Sequence, residues 1–172
     1  KHVTIIAEMA NTHEGNFLKA KKIIAAAADA NADIIKFQKF TANELLTKDH
    51  EKFDEFKKLE MNNLEWKKII KLSKQKNLKV IFDVFSIKTA KEVLGFNNID
   101  GIKIHTSDTI NPKLLKFLSN QKISLLLSTG GSKFNEIDEA IKILNKIPKE
   151  IILLHGFQSY PTKLKETNLL RI

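Results

Sequence analysis

The chain has 172 residues, 42% of them hydrophobic and 28% charged, which is the composition of one globular core and not of a disordered segment. It has no cysteine, which excludes disulfides and thiolate metal sites, and no uncharged apolar run approaches the ~18 residues of a membrane span. The net charge of +9 invites a nucleic-acid reading, but Arg171 is the sole arginine and the lysines lie mostly on the solvated faces of helices. An anionic small molecule accounts for the surplus equally well, and no nucleic-acid partner is expected.

The first run, "HVTIIAEMA", reads as a strand. Glu8 interrupts it too early for a secretory signal, so a cytoplasmic protein is expected. "NFLKAKKIIAAAADAN" has helical spacing, with Leu18, Ile23, Ile24 and Ala27 predicted on the buried face. "DIIKFQKF" is a second strand. "TANELLTKDHEKFDEFKKLEMN" holds charged helical pieces and reads as a surface excursion. "NNLEWKKIIKLSKQKN" is an amphipathic helix with Leu64, Ile69, Ile70 and Leu72 as its apolar residues. The strand "KVIFDVF" follows, then a helix from "SIKTAKEVLGFNN" with Ser86 at its N-cap. "GIKIHTSD" is a strand, and "NPKLLKFLSNQK" a helix with Asn111 at N-cap and Pro112 at N1. "ISLLLSTGG", a helix from "KFNEIDEAIKILNKI", and the strand "EIILLHGFQSYP" complete the series. The tail "TKLKETNLLRI" begins with a helical look.

About six β-α repeats argue for a parallel sheet with right-handed crossovers. A doubly wound open sheet and a (β/α)8 TIM-type barrel both fit. At roughly 29 residues per unit, eight units need about 230 residues, close to the size of a barrel. The chain is therefore expected to be an incomplete barrel of about six units, with residues 1–172 the N-terminal part of a single barrel domain.

Each of the six runs is apolar at its start and polar at its carboxyl end. The first ends at Glu8, and the second at Lys36 and Gln38, which share a parity and so a face. The third carries Asp83, the fourth Lys103, His105 and Thr106, the fifth Ser128 and Thr129, and the sixth His155, Gln158 and Tyr160. Parallel α/β folds bind ligands at that end, and a barrel would gather these side chains around a central pocket. Any one of them is readily explained by a lysine reaching out to water or by a structural histidine. Six strands obeying the same rule point to a convergent site. Two lysines, with a "STGGS" turn whose backbone N–H groups can cradle oxygens, suggest an anion. Glu8 is a candidate general base or orienter.

These residues resemble the sialic acid synthase family, which condenses phosphoenolpyruvate with N-acylated hexosamines into nonulosonic acids such as N-acetylneuraminate. "IIAEMANTHEGN" is similar to the family's opening Ala-Glu-Ile-Gly-x-Asn-His-x-Gly. "ADIIKFQKFTANELLT", "GIKIHTSDTINPKLLKFL", "LLLSTGGS" and "LLHGFQSYPT" resemble its second, fourth, fifth and sixth strand segments. The resemblance implies that Lys36, Gln38, Lys103, Thr106 and Ser128 bind phosphoenolpyruvate and that Glu8 acts near the attacked carbonyl. It places Phe85, Gln158 and Tyr160 at the amino sugar, and Asn11 and His13 in the opening loop near the same mouth. It also implies a divalent metal, Mn²⁺ or Mg²⁺, that polarises the sugar aldehyde. Its histidine ligands would lie beyond residue 172, so no ligand is expected in this segment and His105 and His155 are not the matched ones. A C-terminal antifreeze-like domain and a homodimer are implied for the full-length protein, and the 172 residues alone are expected to be inactive.

Three departures stand out. Ala10 replaces a glycine, Thr12 an asparagine, and Asp83 a phosphate-side threonine. An acid there is unfavourable beside phosphate unless it pairs with a lysine or a metal. Two other readings remain open at this point: a class I aldolase with Lys36 or Lys103 as the Schiff-base amine, and a non-catalytic ligand-binding barrel.

Overall fold

Every apolar run read as a strand is a strand in the computed structural model, which describes residues 3–159 and 161–172. The chain divides into two units, Lys1–Gly101 and Ile102–Ile172. Strands and helices alternate from the first strand to the sixth, and the architecture is α/β of the TIM-barrel type, with six strands among the described residues. No helix among the described residues is long and apolar enough to cross a membrane.

In the first unit β1 (Ile6–Ala10), β2 (Ile34–Lys39) and β3 (Lys79–Val84) pair in parallel in chain order. Helix α1 (Phe17–Asp29) joins β1 to β2, and α2 (Ala42–Leu45), α3 (Phe53–Lys58) and α4 (Asn63–Gln75) join β2 to β3. Helix α5 (Ile87–Leu94) follows β3. The helix starts are encoded locally. Asn16 Oδ1 accepts from the backbone N–H groups of Leu18 and Lys19, Asn62 Oδ1 from that of Glu65, and Ser86 Oγ from that of Thr89. Glu65 closes a capping box by accepting from Asn62 N–H at 3.1 Å.

Two predicted core leucines are on the wrong side. Leu18 is 66% and Leu64 63% exposed, whereas α1 buries Ala20, Ile24 and Ala27 and α4 buries Trp66, Ile69, Ile70 and Ser73. Helical geometry gives the reason: Leu18 lies about 120° around the axis from Ile24, while Ala20 and Ala27 lie within about 60° of it. Small or polar residues complete the true faces, and Ser73 is accommodated because its Oγ donates to Ile69 O at 2.9 Å.

The strand faces divide the work. Ile35, Phe37, Val80, Phe82 and Val84 are fully buried. Phe37 and Phe82 meet each other at 5.3 Å and both meet Trp66 of α4, at 5.8 and 5.4 Å. That alternate set is the helix-facing core. The other parity, with Lys36 opposite Glu8 and Gln38 opposite Asp83 in register, faces the opposite way.

The second unit holds β4 (Gly101–Ile104), α6 (Pro112–Leu118), β5 (Ser124–Ser128), α7 (Phe134–Leu144) and β6 (Ile151–Leu154), with its strands in chain order and β5 parallel to β6. Asn111 caps α6 through its Oδ1, which accepts from Leu114 N–H, and Pro112 occupies the first turn as expected. The core is Ile102, Ile104, Leu114, Leu115, Leu118, Leu125, Leu127, Ala140 and Leu144. Two strands are shorter than predicted. After Ile104 the chain turns into a 3-10 turn at Thr106–Asp108, in which Asp108 N–H donates to His105 O. His155 and Gln158 lie past the end of β6. The tail forms two 3-10 turns, Leu164–Glu166 and Leu169–Arg171, rather than the start of an α-helix.

Candidate functional site

The first unit assembles three charged side chains from three strands. Lys36 comes from the middle of β2 and is only 6% exposed. Its Nζ donates to Asp83 Oδ2 at 2.7 Å and forms a second ion pair with Glu8. Asp83 is fully buried, whereas the Glu8 side chain is 42% exposed. Parallel register sets this up: Glu8 is the direct neighbour of Lys36 on β1, and Asp83 lies two positions beyond Lys36's neighbour Ile81 on β3. The condition placed on Asp83 by the sequence, that it pair with a lysine or a metal, is met by Lys36. Gln38, half-buried, is the register partner of Asp83.

An irregularity at the end of β1 follows Glu8 directly. The register slips between Glu8 and Ala10, and Ala10 sits at φ 45°. That is left-handed backbone, in which glycine has no steric cost and alanine does. Ala10 therefore holds a conformation that favours glycine, and its N–H donates to Glu8 Oε1 at 3.0 Å. Ala10→Gly is expected to stabilise the protein by about 1 kcal/mol, a gain of about 2–4 °C in Tm. An unchanged or lower Tm by calorimetry would mean that the bulge is relaxed.

The opening loop corrects the sequence reading of His13. It was expected near the mouth of the site, but it is fully buried and meets the edge of Trp66 at 5.8 Å, with the Phe37 and Phe82 parity. Its Nδ1 accepts from Gly15 N–H at 3.0 Å. Gly15 is itself obligatory: φ is 67° and an added Cβ would stand 2.0 Å from Lys58 O. Burial holds the imidazole pKa below its usual 6.5. The unfolded chain thus takes up the proton first, and the stability that neutral His13 contributes is present above about 6.5 and lost as pH falls through the lowered value. His13→Asn keeps an acceptor for Gly15 without titrating. Its Tm is expected to fall less than the parent's between pH 7 and 5, and parallel curves would remove His13 as the cause.

In the second unit Lys103 projects from β4 and is half-buried, and Thr106 lies in the 3-10 turn that follows. Ser128 ends β5, and its carbonyl accepts from the hydroxyl of Thr109, a buried loop residue that nothing in the sequence singled out. The "STGGS" turn is closed on itself and on β6. Thr129 N–H and Oγ1 both donate to Leu154 O, Ser132 N–H donates to Thr129 O, and Lys133 N–H to Glu136 Oε2. Those donors are committed, so the cradle inferred from Gly-Gly spacing has less to offer an anion than expected. An added Cβ at Gly130 would stand 2.9 Å from the Gly156 backbone, which makes close approach of the two strand ends the reason for the glycine.

The predicted sugar-contacting residues divide. Phe85 follows β3, where its ring meets Phe40 edge-on at 6.2 Å. Gln158 is exposed and lies beside Gly131. Tyr160 lies outside the described residues. His105 Nδ1 lies 3.2 Å from Ser107 Oγ, and His155 Nε2 lies 2.7 Å from Thr167 O. No group of three His, Cys, Asp or Glu side chains among the described residues converges as a metal site would require.

The sequence model of the NeuB family matches residues 23–172. The N,N'-diacetyllegionaminic acid synthase of Campylobacter jejuni is 30% identical over 98% of this chain and 55% of its own length. The N-acetylneuraminate-9-phosphate synthase of Drosophila melanogaster is 32% identical over 97% of this chain and 48% of its own. The chain thus spans about half the length of the curated relatives it matches. The crystal structure of N-acetylneuraminic acid synthetase from Leptospira borgpetersenii, in complex with citrate, superposes with a TM-score of 0.93 at 30% identity, covering 100% of this chain and 60% of that one.

Proposed function

Because the chain belongs to the NeuB family, we propose that it is the N-terminal barrel portion of a synthase that condenses phosphoenolpyruvate with an N-acylated hexosamine. The observation that carries this reading is Lys36, a buried ammonium in the middle of β2, flanked by a half-exposed carboxylate and a buried one. In the proposed reaction C3 of phosphoenolpyruvate attacks the sugar aldehyde, whose oxygen becomes a hydroxyl. Water adds at C2, and the bond from C2 to the phosphate oxygen breaks to release phosphate.

This chain's own residues would bind and orient. Lys36 and Lys103 offset the negative charge of phosphoenolpyruvate, with Gln38, Thr106 and Ser128 as hydrogen-bonding groups. Glu8 orients or deprotonates the attacking water or the sugar hydroxyl. Phe85, Gln158 and Tyr160 contact the sugar. The side chains described do not fit a divalent ion, so Mn²⁺ or Mg²⁺ would be held by residues outside this chain, and no step is assigned to it. A homodimer and a cytoplasmic location are part of the same proposal. Lys36 Nζ is engaged by two carboxylates, which does not favour the Schiff-base alternative.

The test is phosphate release by the complete gene product supplied with phosphoenolpyruvate, an N-acylhexosamine and Mn²⁺. In that assay Lys103→Ala should lower kcat/KM at least about tenfold, since a hydrogen bond to a charged group is worth roughly 1.5–3 kcal/mol. Absence of phosphate release from every N-acylhexosamine tried would overturn the reading, and an unimpaired Lys103→Ala enzyme would remove Lys103 from the site.

A further inference from the structure

Lys36 has three N–H donors, and two are directed at carboxylates. With one ammonium and two carboxylates the cluster carries a net negative charge. An anionic ligand added to it would put three anionic groups on one cation. Lys36 keeps a third N–H donor, but the two carboxylates already outweigh its charge, so an added anion is repelled unless one carboxylate gives up the lysine. Burial decides which. Asp83 is fully enclosed, and breaking its bond to Lys36 would strand a buried charge. The Glu8 side chain is 42% exposed, so it can exchange the lysine for water at little cost.

We propose that Glu8 occupies the anion seat on Lys36 and is displaced when the anionic substrate binds, while Asp83 stays in place and positions the lysine. The inference rests on the reading of Lys36 as an anion-binding residue. Glu8 Oε1 accepts Ala10 N–H at 3.0 Å, which keeps the carboxylate beside the bulge after it leaves the lysine. Seating of the substrate thereby frees a carboxylate to act as a base at the adjoining position. Binding of the anion and availability of the base become one event.

The experiment is calorimetric titration of the complete gene product with phosphoenolpyruvate alone, in the parent, in Glu8→Gln, and in the double variant Lys36→Met/Asp83→Asn, which removes both buried charges together. Glu8→Ala replaces Glu8→Gln should the latter fail to fold. The double variant is expected to lose measurable binding. Loss of a half-exposed competing ion pair is expected to tighten binding by Glu8→Gln about three- to fivefold. Equal or weaker binding by the Glu8 variant, with binding lost in the double variant, overturns the displacement and leaves Lys36 as the anion site. Parent-like binding by the double variant overturns the reading of Lys36 and the displacement with it.

Discussion

Lys36→Ala is expected to destabilise the protein by about 3–5 kcal/mol, because it leaves Asp83 charged, fully buried and without its lysine. For a lysine read from the sequence as a binding residue, the simple expectation is a loss of activity with little change in Tm. The structure changes that expectation. Glu8, half-exposed, can re-hydrate when the ammonium is removed, and Asp83 cannot. The loss should therefore track Asp83. Lys36→Ala combined with Asp83→Asn should recover most of the stability, while Lys36→Ala combined with Glu8→Gln should recover little. Denaturant unfolding of the two double variants measures the difference. Equal recovery by both would show that Asp83 is stabilised by something other than Lys36, and a Lys36→Ala protein as stable as its parent would show the pair to be worth nothing.

Residues 1–172, purified alone and given phosphoenolpyruvate, an N-acylhexosamine and Mn²⁺, are expected to release no phosphate above background. Closing a parallel barrel takes about eight strands, and the described residues form six. The last of them, β6, leaves Ile152 40% and Leu153 48% exposed, in contrast to β5, where Leu125, Leu126 and Leu127 are buried. A groove of about 1070 Å³ beside β6 and α7 is lined by further apolar surface, including Phe134, Leu153 and Phe157. Exposed apolar surface on this scale is a liability for an isolated segment. The described side chains also present no trio of metal-ligating groups. The outcome that would sink this expectation is turnover by the isolated segment comparable to that of the complete gene product.

The alternation of elements was legible because its signals are local. Asn16, Asn62, Ser86 and Asn111 cap the helices that their own following backbone N–H groups define, within three residues. Strand parity was equally readable, since Lys36 and Gln38 share a face by backbone geometry alone. The face of a helix was less so. Leu18 and Leu64 attract the eye as large apolar residues, but Ala20 and Ser73 hold the buried positions, because angular position and not side-chain size decides burial.

The candidate site divides along the same line. That polar side chains crowd the carboxyl ends of the strands was plain in the sequence, and so was the misfit of Asp83 beside an anion. The partner was not legible. Lys36 and Asp83 are 47 residues apart, and only the parallel register of β2 and β3 places one within reach of the other. The same holds for His13, whose residue type and loop suggested a site and whose burial against Trp66 gives it to the core. Local hydrogen bonding and periodicity are properties of neighbouring residues, so the sequence by itself determined the elements and their polar ends. Charge pairing and burial depend on which distant segments meet, and those the tertiary structure alone decided.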